Sequence, residues 1–202
     1  FPIFAFLAVE GYFHTRSFKR YALRMLLFAV LSEVPFDLMY GGTVFYPVHQ
    51  NVIWTLLLGL LGIRLMEAAR AKGKRWLYIL TCAAVVVLGF ALGTLGMVDY
   101  YGAGVLTVFA FYFFRERKWW CLLGQLAALY WLNVAVLGGQ MYPVTLFGRE
   151  IELCEQGLAL LALVPIWLYR GRQGHHSKAF QYACYAFYPA HMLVLALLTM
   201  IQ

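Results

Sequence analysis

Charge is what this chain has least of. Asp, Glu, Lys and Arg make up only 12% of its 202 residues, against 63% for apolar types, and the mean hydropathy is +0.73. A soluble domain carries roughly 25% charge, so this composition excludes one and leaves no room for a soluble module beside a membrane domain. Cysteine is sparse too. Cys82, Cys121, Cys154 and Cys184 stand singly in apolar runs, which excludes a disulfide framework and a cysteine metal site, and no metal is expected. Internal repeats, low-complexity linkers and a signal-peptide layout are also missing. Acids are outnumbered nine to sixteen, for a net charge of +7. The basic residues fall in loops between apolar runs, a pattern that reports membrane topology and argues against a nucleic-acid partner.

What is present is a series of apolar runs of about 17 to 22 residues, enough to cross ~30 Å of hydrocarbon as helix. They lie near 18–39, 46–69, 76–93, 98–114, 119–137, 151–169 and 179–201. Phe1–Phe13 precedes them and spans only about 20 Å at ~1.5 Å per residue, short for a crossing. The chain opens in mid-helix with neither an initiator Met nor a charged flank, so further residues upstream are expected. The fold class read from this pattern is an all-α, polytopic transmembrane helix bundle, one domain over 1–202, with about seven full spans plus a partial N-terminal span. Alternate connections hold fourteen of the sixteen Lys and Arg: 16–24, 70–75, 115–118 and 170–178. The positive-inside rule puts these in the cytoplasm and makes the chain a multi-pass membrane protein. Tyr and Trp at run ends, such as Trp76, Tyr100 and Trp119, suit interfacial belts among membrane lipids.

Ionisable groups within such spans are costly and mark functional candidates. Three constellations stand out. At the cytoplasmic turn, Glu10 and His14 share a helix face. Arg16, Arg20 and Arg24 recur every four residues, and Arg64 sits near the inner end of the 46–69 run. Convergent guanidinium groups suit a phosphate-bearing cytosolic ligand; the alternative is that they are anchors that snorkel to the interface. Toward the outer side lie Glu33 and Asp37, with Pro35 between them to loosen the backbone and end the helix, then His49, Asn51, Thr55 and Asp99. Carboxylates beside a histidine at membrane depth suit acid–base chemistry; as loop-end residues, Asp37, His49 and Asp99 would instead be wet. Third, His191 follows Pro189 near the middle of the last run, either for proton transfer or as a bridge between helices. Gln125 and Asn133 read as interhelical hydrogen bonders. Glu150, Glu152 and Glu155 read as caps of the 151–169 run, with Glu155 the one to turn inward. Glycines such as Gly62 and Gly89 permit close helix packing.

The segment FPIFAFLAVEGYFHTRSFKRYALRMLLFAVLSEVPFDL, then HQNVIWTLLLGL, then FYPAHMLVL, resembles the TraX family of bacterial integral membrane proteins over essentially the whole chain. The ordered sets E-G-x-x-H-T-R and S-E-x-P-F carry most of the likeness. Founding members of that family acetylate the N terminus of conjugative pilin. The family is grouped with multi-span acyltransferases that use cytosolic acyl-coenzyme A and similarly have a histidine in their last helix. One departure is that family members have a further N-terminal helix with an acidic–histidine pair, which these residues do not include. The resemblance implies transfer of an acetyl group from acetyl-coenzyme A, the acyl donor, to an amine or hydroxyl acceptor: a pilin N terminus, a surface glycan or a lipid. Catalytic groups would come from His191, Glu33, Glu10, Asn51 and His49. His14, Arg16, Arg20, Arg24 and Arg64 would hold the coenzyme. A transporter or exporter of a small polar substrate and a non-catalytic pilus or surface-polymer assembly factor are the rival readings.

Overall fold

The computed structural model describes residues 1–146, 149–171 and 177–201. Its helices are α1 (Pro2–His14), α2 (Phe18–Gly41), α3 (Val52–Ala71), α4 (Arg75–Leu95), α5 (Tyr101–Phe113), α6 (Trp119–Tyr130), α7 (Leu163–Leu168) and α8 (Lys178–Ile201). Local chemistry sets several boundaries. Pro2 opens α1 at a position where its missing N–H costs nothing. The Asn51 side chain caps α3 by accepting from Ile53 N at 3.0 Å. Gly42, at φ 66°, ends α2 in the left-handed conformation that glycine adopts without strain. A π-helical turn, Trp131–Leu137, extends α6, and a 3₁₀ turn, Glu155–Ala162, leads into α7.

Among the described residues, four helical segments are long and apolar enough to cross a membrane: Val52–Ala71, Arg75–Leu95, Trp119–Leu137 and Tyr182–Thr199. The other expected spans take different forms. α2 has 24 residues, length enough, but carries Lys19, Arg20, Arg24, Glu33 and Asp37. The 98–114 run contracts to the 13 residues of α5. The 151–169 run begins as strand, and its helical remainder is Glu155–Leu168. The expectation of an all-α fold is corrected at this point. β1 (Met141–Leu146) pairs antiparallel with β2 (Arg149–Cys154), Met141 opposite Cys154. Glu150-Ile151-Glu152-Leu153 alternates polar and apolar residues at the two-residue period of a strand, a signal that counting apolar runs passes over. Glu155 is exposed rather than turned inward. Pro35 does not end its helix: α2 continues to Gly41, giving up only the hydrogen bond that proline cannot donate.

The core is built around α5. Val105, Val108, Phe109 and Phe111 are at most 2% exposed and meet Leu60, Ile63 and Met66 of α3, Val85 of α4, Val9 of α1 and Leu129 of α6 in one cluster. Glycine permits this closeness. A Cβ on Gly62 would lie 2.6 Å from the Phe109 ring, and one on Gly89 2.8 Å from it, so the phenyl group is seated where α3 and α4 have no side chain. The periphery is apolar as well. On α4, Ile79, Leu80, Val87 and Leu88 are each more than half exposed, an open apolar band that suits lipid rather than water. The chain is a membrane protein, mostly helical, with α8 lying along α2.

Candidate functional site

Two polar assemblies form, at opposite ends of the bundle. At the end carrying the basic loops, helix α1 places Glu10 and His14 one turn apart. His14 Nδ1 lies 2.8 Å from the Glu10 carbonyl oxygen. That oxygen can only accept, so Nδ1 carries the proton and Nε2 of the neutral ring keeps its lone pair. The Glu10 carboxylate is 3.8 Å from the same imidazole and is gripped by Arg115: Nε donates to Oε1 at 2.7 Å and an η nitrogen to Oε2 at 3.3 Å. The Arg115 guanidinium also rests 4.1 Å from the centroid of the Phe13 ring. This fork joins residues 105 positions apart.

Beside the fork opens a cavity of about 450 Å³, bordered by Glu10, His14, Arg115, Arg117 and Arg170, with Phe6, Ile166 and Gln125 among its deeper walls. Gln125 is fixed as an interhelical tie. It donates to Phe114 O at 2.8 Å and accepts from the Trp167 indole at 2.9 Å. Arg117 donates to Trp167 O at 3.3 Å. A volume of this size lies within the range of small-molecule sites. Three arginines around it, against Glu10 and Glu116, suit a phosphorylated ligand. Glu116 is itself paired with Lys118 at 2.5 Å, which lowers its carboxyl from the usual range.

The arginines singled out from spacing lie elsewhere. Arg16 precedes α2 and so does not share its face, while Arg20 and Arg24 are exposed on α2. Arg64 is exposed on α3, its guanidinium 5.9 Å from the centroid of the Phe18 ring. Of the five expected ligand-binding residues, only His14 borders the cavity. Arg115, Arg117 and Arg170, read from the sequence as topology markers, take the place assigned to the others. Arg172 lies outside the described residues.

At the opposite end, the outer candidates converge. Asn51 Nδ2 donates to Ala29 O at 2.8 Å and to the Glu33 carboxylate, and the Trp54 indole donates to the same carboxylate oxygen at 2.8 Å. Asp37, only 2% exposed, accepts from the Tyr46 backbone N–H at 2.9 Å. Among the described residues, Ser32 Oγ, Glu33 Oε1 and Asp37 Oδ1 have no hydrogen-bond partner. His49 Nε2 lies 3.3 Å from Asp99 Oδ1, and its ring is stacked on Tyr40 with centroids 4.6 Å apart. Thr55 donates to Asp99 O at 2.6 Å. Burial pushes the Asp99 carboxyl above the usual aspartate range, while the neighbouring His49 pulls the other way. Burial likewise raises the Tyr100 phenol, assisted by Asp99. Asp37 and His49 are therefore buried, not wet.

Two participants at this end had a weak trace in the sequence or none. Trp54 lies three residues after Asn51, on the same helical face. Tyr188 of α8 comes near the Val52 backbone, Glu33 and Asp99, an approach across more than a hundred residues. His191, one turn further on, bonds through Nδ1 to Phe187 O at 2.9 Å and stacks on the Phe187 ring. It meets neither Glu33 nor Asp99. Asn133 likewise donates to Leu129 O, four residues back in its own chain segment, and does not bridge helices. No group of three His, Cys, Asp or Glu side chains able to hold a metal occurs among the described residues.

Comparison with known proteins places these residues in a family. The chain is 26% identical, over 96% of its length and 77% of the relative's, to a "Probable fimbrial assembly protein FimC, serogroup H1" of Dichelobacter nodosus. No solved structure matches it. The model of the family described as TraX protein matches residues 1–199, and the chain belongs to the TraX family.

Proposed function

We propose that the protein is a multi-pass acyltransferase of the bacterial inner membrane, with its basic loops in the cytoplasm. It would move an acetyl group from cytosolic acetyl-coenzyme A to an amine or hydroxyl acceptor, of which a pilin N terminus is the first to try. The observation that carries this reading is the cavity at the basic end, where arginine, imidazole and carboxylate groups meet within one space of small-molecule size. Its residues fit the donor: Arg115, Arg117 and Arg170 supply always-charged donors for phosphate oxygens, and Phe6 and Ile166 offer an apolar depth for the uncharged arm.

In this scheme His14 Nε2 takes the proton of the acceptor as its nitrogen or oxygen attacks the thioester carbonyl. The carbon–sulfur bond breaks as the new bond forms, and the imidazolium returns its proton to the departing thiolate. Glu10 keeps the ring oriented and stabilises its charged form. Glu10 thus serves as a positioning residue rather than a base, because Arg115 occupies both its oxygens. The outer group of Glu33, Asn51 and His49 ties α2, α3 and the α4–α5 connection together, some 20 Å of helix from the basic turn.

Equilibrium binding of coenzyme A to the purified protein tests the reading. Charge-assisted hydrogen bonds are worth about 1.5–3 kcal/mol, so Arg117→Ala and Arg170→Ala should each weaken binding about tenfold or more, with Arg20→Ala and Arg24→Ala unchanged. A wild-type protein that does not bind coenzyme A would refute the enzyme reading. It would favour the second one, a non-catalytic role in pilus assembly, which the name of the fimbrial relative supports.

A further inference from the structure

A second cavity of about 350 Å³ adjoins the first, and the two share Arg115 and Glu116. Its walls are aromatic: Phe13 of α1, Tyr78 of α4, Phe113 of α5 and Trp120 of α6 come from four different helices, with Arg70 at the border. Phe13, Phe113 and Trp120 are 36%, 40% and 45% exposed, so they present ring surface that the protein's own core leaves uncovered. The polar atoms of this wall are already engaged. Tyr112 donates to Glu67 at 2.6 Å, its hydroxyl lies 3.4 Å from that of Tyr78, and Arg70 donates to the same Glu67 oxygen at 3.4 Å. That network fixes Tyr78 and Tyr112, and the part-exposed rings of Phe113 and Trp120 are left as the recognition surface. Arg115 stands at the junction, stacked on Phe13 and bonded to Glu10, so its charge addresses both spaces.

We propose that this second cavity is a nucleobase subsite, which receives the purine of the nucleotide whose phosphates lie at Arg115. An aromatic wall beside two guanidinium groups recognises a flat π-system attached to phosphate. A lipid chain has no use for the cations, and a free phosphate none for the rings. The two cavities then divide one ligand. The first takes the reactive arm, because His14 and Glu10 are there; the second takes the base, because it offers stacking surface and no acid–base pair of its own. This inference rests on the coenzyme A reading.

The test compares affinity for coenzyme A with that for 4′-phosphopantetheine, which lacks the adenosine and two of the phosphates, in the wild type and in Trp120 variants. Stacking on an aromatic side chain is worth about 1–3 kcal/mol per base, so Trp120→Ala should weaken coenzyme A binding about five- to hundredfold while leaving phosphopantetheine affinity unchanged, and Trp120→Phe should keep most of the coenzyme A affinity. Coenzyme A affinity unchanged by Trp120→Ala, or equal weakening of both compounds, would overturn the subsite while leaving the enzyme reading intact. Binding of neither by the wild type would overturn both.

Discussion

Removing Arg115 probes the most connected side chain at the basic end. Its fork onto Glu10 has contacts of 2.7 and 3.3 Å, and the partners are 35% and 14% exposed. Exposed pairs contribute about 0–1 kcal/mol, whereas losing one partner of a fully buried pair costs about 3–5 kcal/mol. This pair sits between, so a coupling of about 2 kcal/mol is expected. At ~2–4 °C per kcal/mol for a chain of this size, Arg115→Ala should lower the melting temperature in detergent by about 4–8 °C. Glu10→Ala should cost a similar amount, and the double variant should be little worse than either single change. The assay is a double-mutant cycle followed by thermal unfolding. Effects that simply add, within about 0.5 kcal/mol, would refute the coupling and with it the claim that Arg115 fixes Glu10 beneath His14.

Two other outcomes follow from the same geometry. Turnover with a supplied acceptor should fall about 10²–10⁴-fold in His14→Gln, the ordinary contribution of general acid–base catalysis. His191→Gln should stay within a few-fold of wild type, because among the described residues the His191 ring bonds within its own helix, to Phe187 O; the reverse ranking would move the base to α8. Because burial raises the Asp99 carboxyl, the folded chain binds that proton more tightly than the unfolded one. Stability should therefore fall as pH climbs upward from the ordinary aspartate value near 3.8. Asp99→Asn should flatten that part of a melting-temperature profile, and identical slopes for the two proteins would refute the assignment.

The sequence by itself determined the class of protein, because apolar run length and loop charge are local quantities that a bilayer reads directly. It also determined the outer assembly well. Glu33, Asp37, His49, Asn51 and Thr55 fall in two adjacent segments, α2 and the start of α3, and an antiparallel helix pair with a short connection has to bring them together. The costly position of ionisable groups in apolar sequence marked them, with Asp99 arriving on the α4–α5 connection. What only the tertiary structure decided was the basic end. Spacing put Arg16, Arg20 and Arg24 in line, but periodicity along one helix says which residues share a face, not whether that face meets another helix. α2 turns Arg20 and Arg24 outward. Arg115 reaches Glu10 across 105 residues because α5 is buried at the centre of the bundle against α1, and nothing local to either segment encodes that meeting. The same holds for the seat of Phe109 of α5 against Gly62 and Gly89, and for Tyr188, which α8 carries to the start of α3. Pairing across the bundle is set by which side chains fill the shared space, and that is a property of the packed helices together.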